Sequence, residues 1–384
     1  MRATPVPITP TVLTWAINQS GYKPEEVAAR VRVPGETLDA WCSGSEQPNL
    51  THFKALGAAL RRPPSTLLLP RPPRATRPPV QFRHAPGTTA RRLNPTESRR
   101  LREAARLQRS LAWILAELHQ EGVGLPEMTI QSSAEEAASE VRHLLGISVA
   151  EQESWQSEWE AFRAWRSALH RAGIAVFSFP LGERSVRGFS LWDPMAPVIA
   201  VNTHWRTLAR IFTLFHETGH LVTRTDSLCV EGGFSSRGSL DSVERWCEQF
   251  AAALLLPWEA VERYLTDRCG WNGTSRIDNL ATVGRVARRF QVSLRAATLR
   301  LIKRQVAAWK LYAEIPPASE KKPKGGGGTG RRRPDIRLDE YGEHTARVFL
   351  TALKKEVLDR TDARDLLCVS DSDLDTLQSR TVMG

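Results

Sequence analysis

The sequence predicts a mainly helical α+β protein, with an N-terminal helix-turn-helix bundle ahead of a larger domain that wraps helices around a small sheet. Three observations carry that expectation. Apolar residues recur at helical spacing through most of the chain, strand character is confined to short runs between residues 173 and 202, and a proline- and arginine-rich stretch separates the two parts. At 384 residues the chain exceeds one ordinary core of about 100 to 200 residues, so more than one structural unit is expected.

Residues 1–69 are assigned to the first domain. ITPTVLTWAINQSG, KPEEVAARVRV, PGETLDAWCSG and NLTHFKALGAALRRP are separated by turn residues and give four or five short helices. Pro24 suits a first helical turn, and Val27, Ala28 and Val31 make one apolar face. A break at Val33 and Pro34 leads to a second helix with Leu38 and Trp41, which Gly44 closes as a left-handed cap. Two helices so joined resemble the Xre/Cro-type helix-turn-helix, with EEVAARVRVPGETLDAWCSGSEQPNL in place of its scaffold helix, recognition helix and following turn.

Residues 70–96 read as an extended connector, since proline removes backbone donors. Residues 97–318 follow as the second domain. Thr96 is expected to cap a long basic helix whose stripe is Leu101, Ala105, Leu111, Ile114, Leu115 and Leu118, with Gly122 ending it. SAEEAASEVRHLLGIS gives another helix. GIAVFSFP, RGFSLWD and APVIAVN read as strands, and RGFSLWD (187–193) is the candidate sheet edge for an added substrate strand. LARIFTLFHETGHLV is a helix, a loop rich in Gly and Ser follows, and SVERWCEQFAAALLLP is a helix ended by Pro257. Residues 279–311 add helices, one pair arranged as helix, turn and helix. Residues 319–334 read as a Gly/Lys/Arg-rich tether, and 335–384 as a small helical segment made of a final helix pair.

The net charge of +11 is local. Residues 61–110 hold thirteen arginines and no lysine against Glu97 and Glu103, so this stretch alone carries the excess. It reads either as a solvated linker with a basic helix or as a surface for nucleic acid or an acidic partner, with Arg61, Arg62, Arg71, Arg74 and Arg77 as the contacts. The expected recognition helix exposes Glu36 and Asp39 and offers no Lys, Arg, Gln or Asn to base edges, so protein docking stands beside DNA binding for this module. No run of 18 apolar residues occurs, and MRATPVPITP lacks the regions of a signal peptide; a soluble cytoplasmic protein is expected. Five cysteines without CxxC spacing point to reduced thiols, which leaves His and carboxylate as metal ligands.

FHETGH, residues 215–220, places His216 and His220 on one helical face with Glu217 beside them. Two neutral imidazoles and a third protein ligand hold Zn2+ with a position open for water, and a neighbouring glutamate can take that water's proton. The apolar residues on both sides imply burial, where His, Glu and His need partners. The third ligand is sought on the next helix, where Glu244 and Glu248 lie four apart. One would bind metal and the other would accept the distal proton of a ligand histidine; Glu231 is a further candidate.

GFSLWDPMAPVIAVN, RIFTLFHETGHLV and ERWCEQFAAALLLP together resemble the ImmA/IrrE metallopeptidases, which have a gluzincin-like zinc site. The resemblance implies His216, His220 and Glu244 as zinc ligands and Glu217 as general base. Phe250, Ala251, Leu254, Leu255 and Pro257 match the family's packing pattern, whereas Cys247 replaces its usual Ala and Glu248 its usual Asn. It further implies a zinc-dependent endopeptidase acting on a cytoplasmic regulator, a helix-turn-helix repressor by the family's habit in stress responses and mobile elements. The competing function is a DNA-binding regulator or antitoxin-like protein whose peptidase-like domain is a structural or sensory module. For oxyanion stabilisation His204, Tyr264 and Tyr312 are the candidates, and spacing does not choose among them.

Overall fold

The computed structural model describes residues 4–73, 93–183, 185–225, 227–229, 239–316 and 330–381. Most of the expected connector, with Arg74 and Arg77, lies outside the described residues, as do Glu231 and most of the Gly-rich stretch. The chain divides into two compact units, with the division falling inside one long helix after Glu103.

The first unit is helical. It comprises α1 (Pro10–Ser20), α2 (Pro24–Val31), α3 (Gly35–Ser43), α4 (Leu50–Leu60), a 3-10 turn at Pro64–Leu68, and the start of α5 (Pro95–Glu117). Leu13, Ile17, Val27, Val31, Leu38, Trp41 and Leu56 form its core. Pro24 opens α2 as expected, and Gly44 closes α3 at φ 82°, a backbone conformation open to glycine at little cost. The cap of α5 corrects the expectation. Asn94, not Thr96, accepts the amides of Thr96 and Glu97, both at 2.9 Å, while Glu97 accepts the Asn94 amide at 2.8 Å in a reciprocal box. The helix also stops at Glu117 instead of Gly122, because His119 turns left-handed at φ 54° and the Gln120 amide bonds back to Leu115 O at 2.9 Å. Its buried stripe is Ala104, Leu107, Leu111 and Ile114; the other expected stripe residues are only partly buried.

The second unit holds α6 (Ala134–Leu145), α7 (Val149–Ser154), α8 (Glu158–Arg171), β1 (Ala175–Phe179), β2 (Gly188–Leu191), β3 (Val198–Asn202), α9 (Thr207–Val222), β4 (Ser227–Cys229) and α10 (Ser239–Leu255). Beyond these come α11 (Trp258–Cys269), α12 (Leu280–Arg289), α13 (Leu294–Lys303), α14 (Trp309–Ala313), α15 (Arg333–Lys354), α16 (Arg360–Leu367) and α17 (Asp371–Thr381). The expected final pair of helices is thus three.

The sheet order is β1-β3-β2-β4, with β1 and β3 parallel and β2 antiparallel to both neighbours. RGFSLWD is therefore not the edge: β2 pairs with β3 on one side and β4 on the other, Gly188 standing opposite Val201 and Cys229. Every residue of β1, β2 and β3 is buried, because both faces are covered. Val176, Ile199 and Val201 enter the main core with Trp165 of α8 and Ile211 and Phe215 of α9. Phe177 and Phe179, on the alternate face, meet Tyr341 of α15 edge-on at 6.0 and 6.3 Å. Asn202 ends β3 as a clamp: Oδ1 accepts from the Leu181 and His204 amides at 3.2 and 3.1 Å, and Nδ2 donates to Gly182 O and Val186 O at 2.8 and 2.9 Å. That clamp fixes the turn from which α9 departs.

Gly188 sets the spacing of β2 and α9. A Cβ there would lie 2.6 Å from Thr213 Cγ2 and 2.7 Å from Ala200 O. Gly188→Ala is expected to cost roughly 1–3 kcal/mol of stability, read as a lowered urea midpoint of the larger unit.

Candidate metal centre

α9 is apolar on most of its circumference and is buried accordingly. Its buried hydroxyls are satisfied inside the helix, Thr213 donating to Ala209 O at 3.0 Å and Thr218 to Leu214 O at 2.8 Å. One face carries His216 and His220, which are 4% and 2% exposed.

α10 crosses α9 at Gly219. A Cβ at that position would meet Cys247 Sγ at 3.0 Å and Cys247 Cα and Cβ at 3.1 Å, so only glycine allows the approach. One turn before Cys247, Glu244 then reaches both imidazoles. Its Oε2 lies 3.1 Å from His216 Nε2 and its Oε1 3.4 Å from His220 Nε2, while the two Nε2 atoms are 3.2 Å apart. These donor atoms lie within 4.8 Å of one another, the one such group among the described residues. Two imidazole nitrogens and a carboxylate oxygen around a common point fit a divalent metal ion. The Glu244 side chain is 48% exposed, so the group is open on the carboxylate side and closed behind the imidazoles. Burial alone would raise the Glu244 carboxyl, but the hydrogen bonds of His216 and His220 hold it well below the usual range. For His220, burial is likewise outweighed, and Cys247 and Glu244 push its pKa up. Glu217 is fully buried, and a Cβ at Gly188 would lie 3.6 Å from its Oε1.

Glu248 stands outside this group of three. Burial raises its carboxyl, with His216 and Lys303 only partly offsetting that. Behind His220 stands Thr225, whose hydroxyl lies 3.0 Å from His220 Nδ1. Thr223 Oγ1 is 2.9 Å from that hydroxyl, and the Thr225 amide donates to His220 O at 2.9 Å. Sequence reasoning missed Thr225, although its place just past the helix end was a signal that it could reach back. Tyr264 lies against Phe290 and Arg289, and Tyr312 against Trp309 and Arg295, partners that all belong outside the metal group. His204 lies in the turn after β3.

Residues 169–301 match the IrrE N-terminal-like domain, Peptidase M78. Over this segment the chain is similar to the IrrE-like metallopeptidases. The chain is similar to the radiation response metalloprotease IrrE of Deinococcus deserti, with 33% identity over 135 residues that cover 34% of this chain and 44% of the relative. The aligned stretch thus spans less than half of that relative. The family match over residues 169–301 contains the strands, α9 and α10 but not the first unit. No helix among the described residues is long and apolar enough to cross a membrane.

In the first unit, Arg62 stacks over Trp15 at 4.2 Å, and Arg61 follows α4 in a left-handed conformation at φ 51°. Arg102, which the sequence reading passed over, donates to Gln19 O at 2.5 Å. Burial and the neighbouring Arg62, Arg99 and Arg61 lower its pKa to about 10. None of these arginines belongs to α2 or α3.

Gly219→Ala is expected to push α10 off α9 and cost about 1–3 kcal/mol in chemical denaturation. Adding Cys247→Ala removes the Sγ clash and should restore part of that loss, which a double-mutant cycle reads directly.

Proposed function

We propose that the protein is a zinc-dependent endopeptidase that cleaves a cytoplasmic transcriptional regulator, with a helix-turn-helix repressor as the partner. The observation that carries this reading is the convergence of His216, His220 and Glu244 beside the buried Glu217, in a segment of metallopeptidase family. In this reading His216, His220 and Glu244 hold the ion, and Glu248 tunes the carboxylate side. Zinc, when bound there, supplies Lewis-acid polarisation of the scissile carbonyl and acidifies water.

The chain's own residues do the rest. Glu217 takes a proton from the attacking water as its oxygen bonds to the carbonyl carbon, and passes that proton to the amine as the carbon–nitrogen bond breaks. Its buried position on α9 suits the role, because there it is screened from bulk water. Thr225 accepts from His220 Nδ1, which fixes the ring and leaves the Nε2 lone pair facing Glu244. The acidic Glu36 and Asp39 on α3 give the DNA-binding alternative no comparable support.

Glu217→Gln should abolish cleavage of a candidate repressor while leaving metal content, measured on purified protein, unchanged. Absence of bound zinc in the wild-type chain, or undiminished cleavage by the variant, would refute the reading. Thr225→Val should weaken zinc binding by roughly 10- to 100-fold in chelator competition, and Thr225→Ser should recover most of it.

A further inference from the structure

A second concave site in the larger unit shares no residue with the metal group. It is a cavity of about 780 Å3 between the turn that precedes α8, the first turn of α9, and α12. α12 buries Val283, Val286 and Ala287 on one side and sets Arg285, Arg288 and Arg289 along the other, at i, i+3 and i+4. Arg289 is anchored: it donates to Glu153 Oε2 at 2.7 Å and to Glu153 O at 3.1 Å, and lies 5.9 Å from the Tyr264 ring centroid. Arg285 is tied back to Arg268 O. Arg288, exposed in the same wall, makes no side-chain hydrogen bond or ion pair among the described residues. A smaller cavity of about 240 Å3 shares Glu158 and Leu208 with the first and extends it to Arg206 and Arg295.

We propose that this groove is a docking site for an acidic, extended segment of a protein. Five arginines line it against two carboxylates, and the helix N-termini at Glu158 and Thr207 add positive potential at its floor. Guanidinium forks favour carboxylate pairs, which gives the groove its ligand chemistry. Glu153 and Glu158 interrupt the positive wall, which suits discrete carboxylates and opposes an unbroken phosphate chain. The groove is polar and open, unlike the enclosed apolar pockets that take small molecules.

Its place on α9 extends the peptidase reading, on which this part rests. Leu208 stands eight residues before His216, about 12 Å along the helix axis. An extended chain covers that in about four residues, so acidic residues of the substrate fall at least that far from the bond that is cut.

The test uses the full-length chain carrying Glu217→Gln and a fluorescein-labelled decaglutamate peptide. Arg285→Gln with Arg288→Gln should weaken binding by about tenfold or more, whereas Arg61→Gln with Arg62→Gln should change it by less than about twofold. Equal binding after the α12 changes, or a loss confined to the Arg61 and Arg62 changes, overturns the proposal. Tighter binding of an oligonucleotide of equal charge, lost with the same α12 changes, also overturns it and assigns the groove to nucleic acid. The comparison needs no catalysis: failure of the wild-type chain to cleave any regulator defeats the peptidase reading and leaves the docking result standing.

Discussion

The close crossing of α9 and α10 at Gly219 is the contact on which the candidate metal centre depends. Two histidines four apart on a helix present nitrogens to one point but cannot close a site, because the remaining donor has to come from another element. Backbone-to-backbone approach at Gly219 and Cys247 brings Glu244 to within 3.1 Å of His216 Nε2. A bulkier residue at either position widens the gap, and the carboxylate loses its reach. The thiol of Cys247 is thus first of all a matter of size, and its second effect, on the charge of His220, follows from the same proximity.

The far end of α10 is held by buried polar side chains. Arg142 donates to Leu254 O at 2.7 Å and to Gln152 Oε1 at 2.8 Å; Gln152 donates to Leu255 O at 2.9 Å and to Phe290 O at 2.8 Å. Arg300 adds a bond to Leu256 O at 3.0 Å and an ion pair with Glu135. The carbonyls of Leu254, Leu255 and Leu256 at that helix end are thereby satisfied without water, and two cations face the negative end of its dipole. Burial lowers the pKa of Arg142 to about 10, yet the side chain stays charged at neutral pH. The consequence reaches the site along the helix axis: with its C-terminal end fixed to α6, α7 and α13, α10 has little freedom to rotate Glu244 away from α9.

Much of this was legible in the sequence where periodicity, a turn residue and a motif agree. The helices of the first unit, β1, β2, β3, α9 and α10 all follow from such agreement. The order of strands did not, since a three-residue β4 leaves no periodic signal and its pairing with β2 is a tertiary event. The cap of α5 was misjudged because Asn94 and Thr96 both suit that role, and only the reach of Glu97 back to the Asn94 amide separates them. Of the site, both histidines and the carboxylates were visible, but the partner of His220 was not. A glutamate on α10 was the acceptor expected for one of the histidines, and behind His220 it is a hydroxyl delivered by the turn after α9 that stands there. The α12 arginines give no sign of a groove in the sequence, because their neighbours across the cavity lie far away along the chain.

α15 docks on the sheet face that carries Phe177 and Phe179, and it bends there around Gly342, where φ is 82° and a Cβ would lie 2.7 Å from the His170 ring. During synthesis that helix emerges long after the strands it covers. Until it arrives, the sheet shows an aromatic face to solvent beside the unpaired edge of β1, a combination prone to association with other chains. The ribosome-bound chain therefore passes through an interval in which α8, α9 and the strands can be assembled while their outer face is open. A stop codon anywhere between α14 and α15 would make that interval permanent.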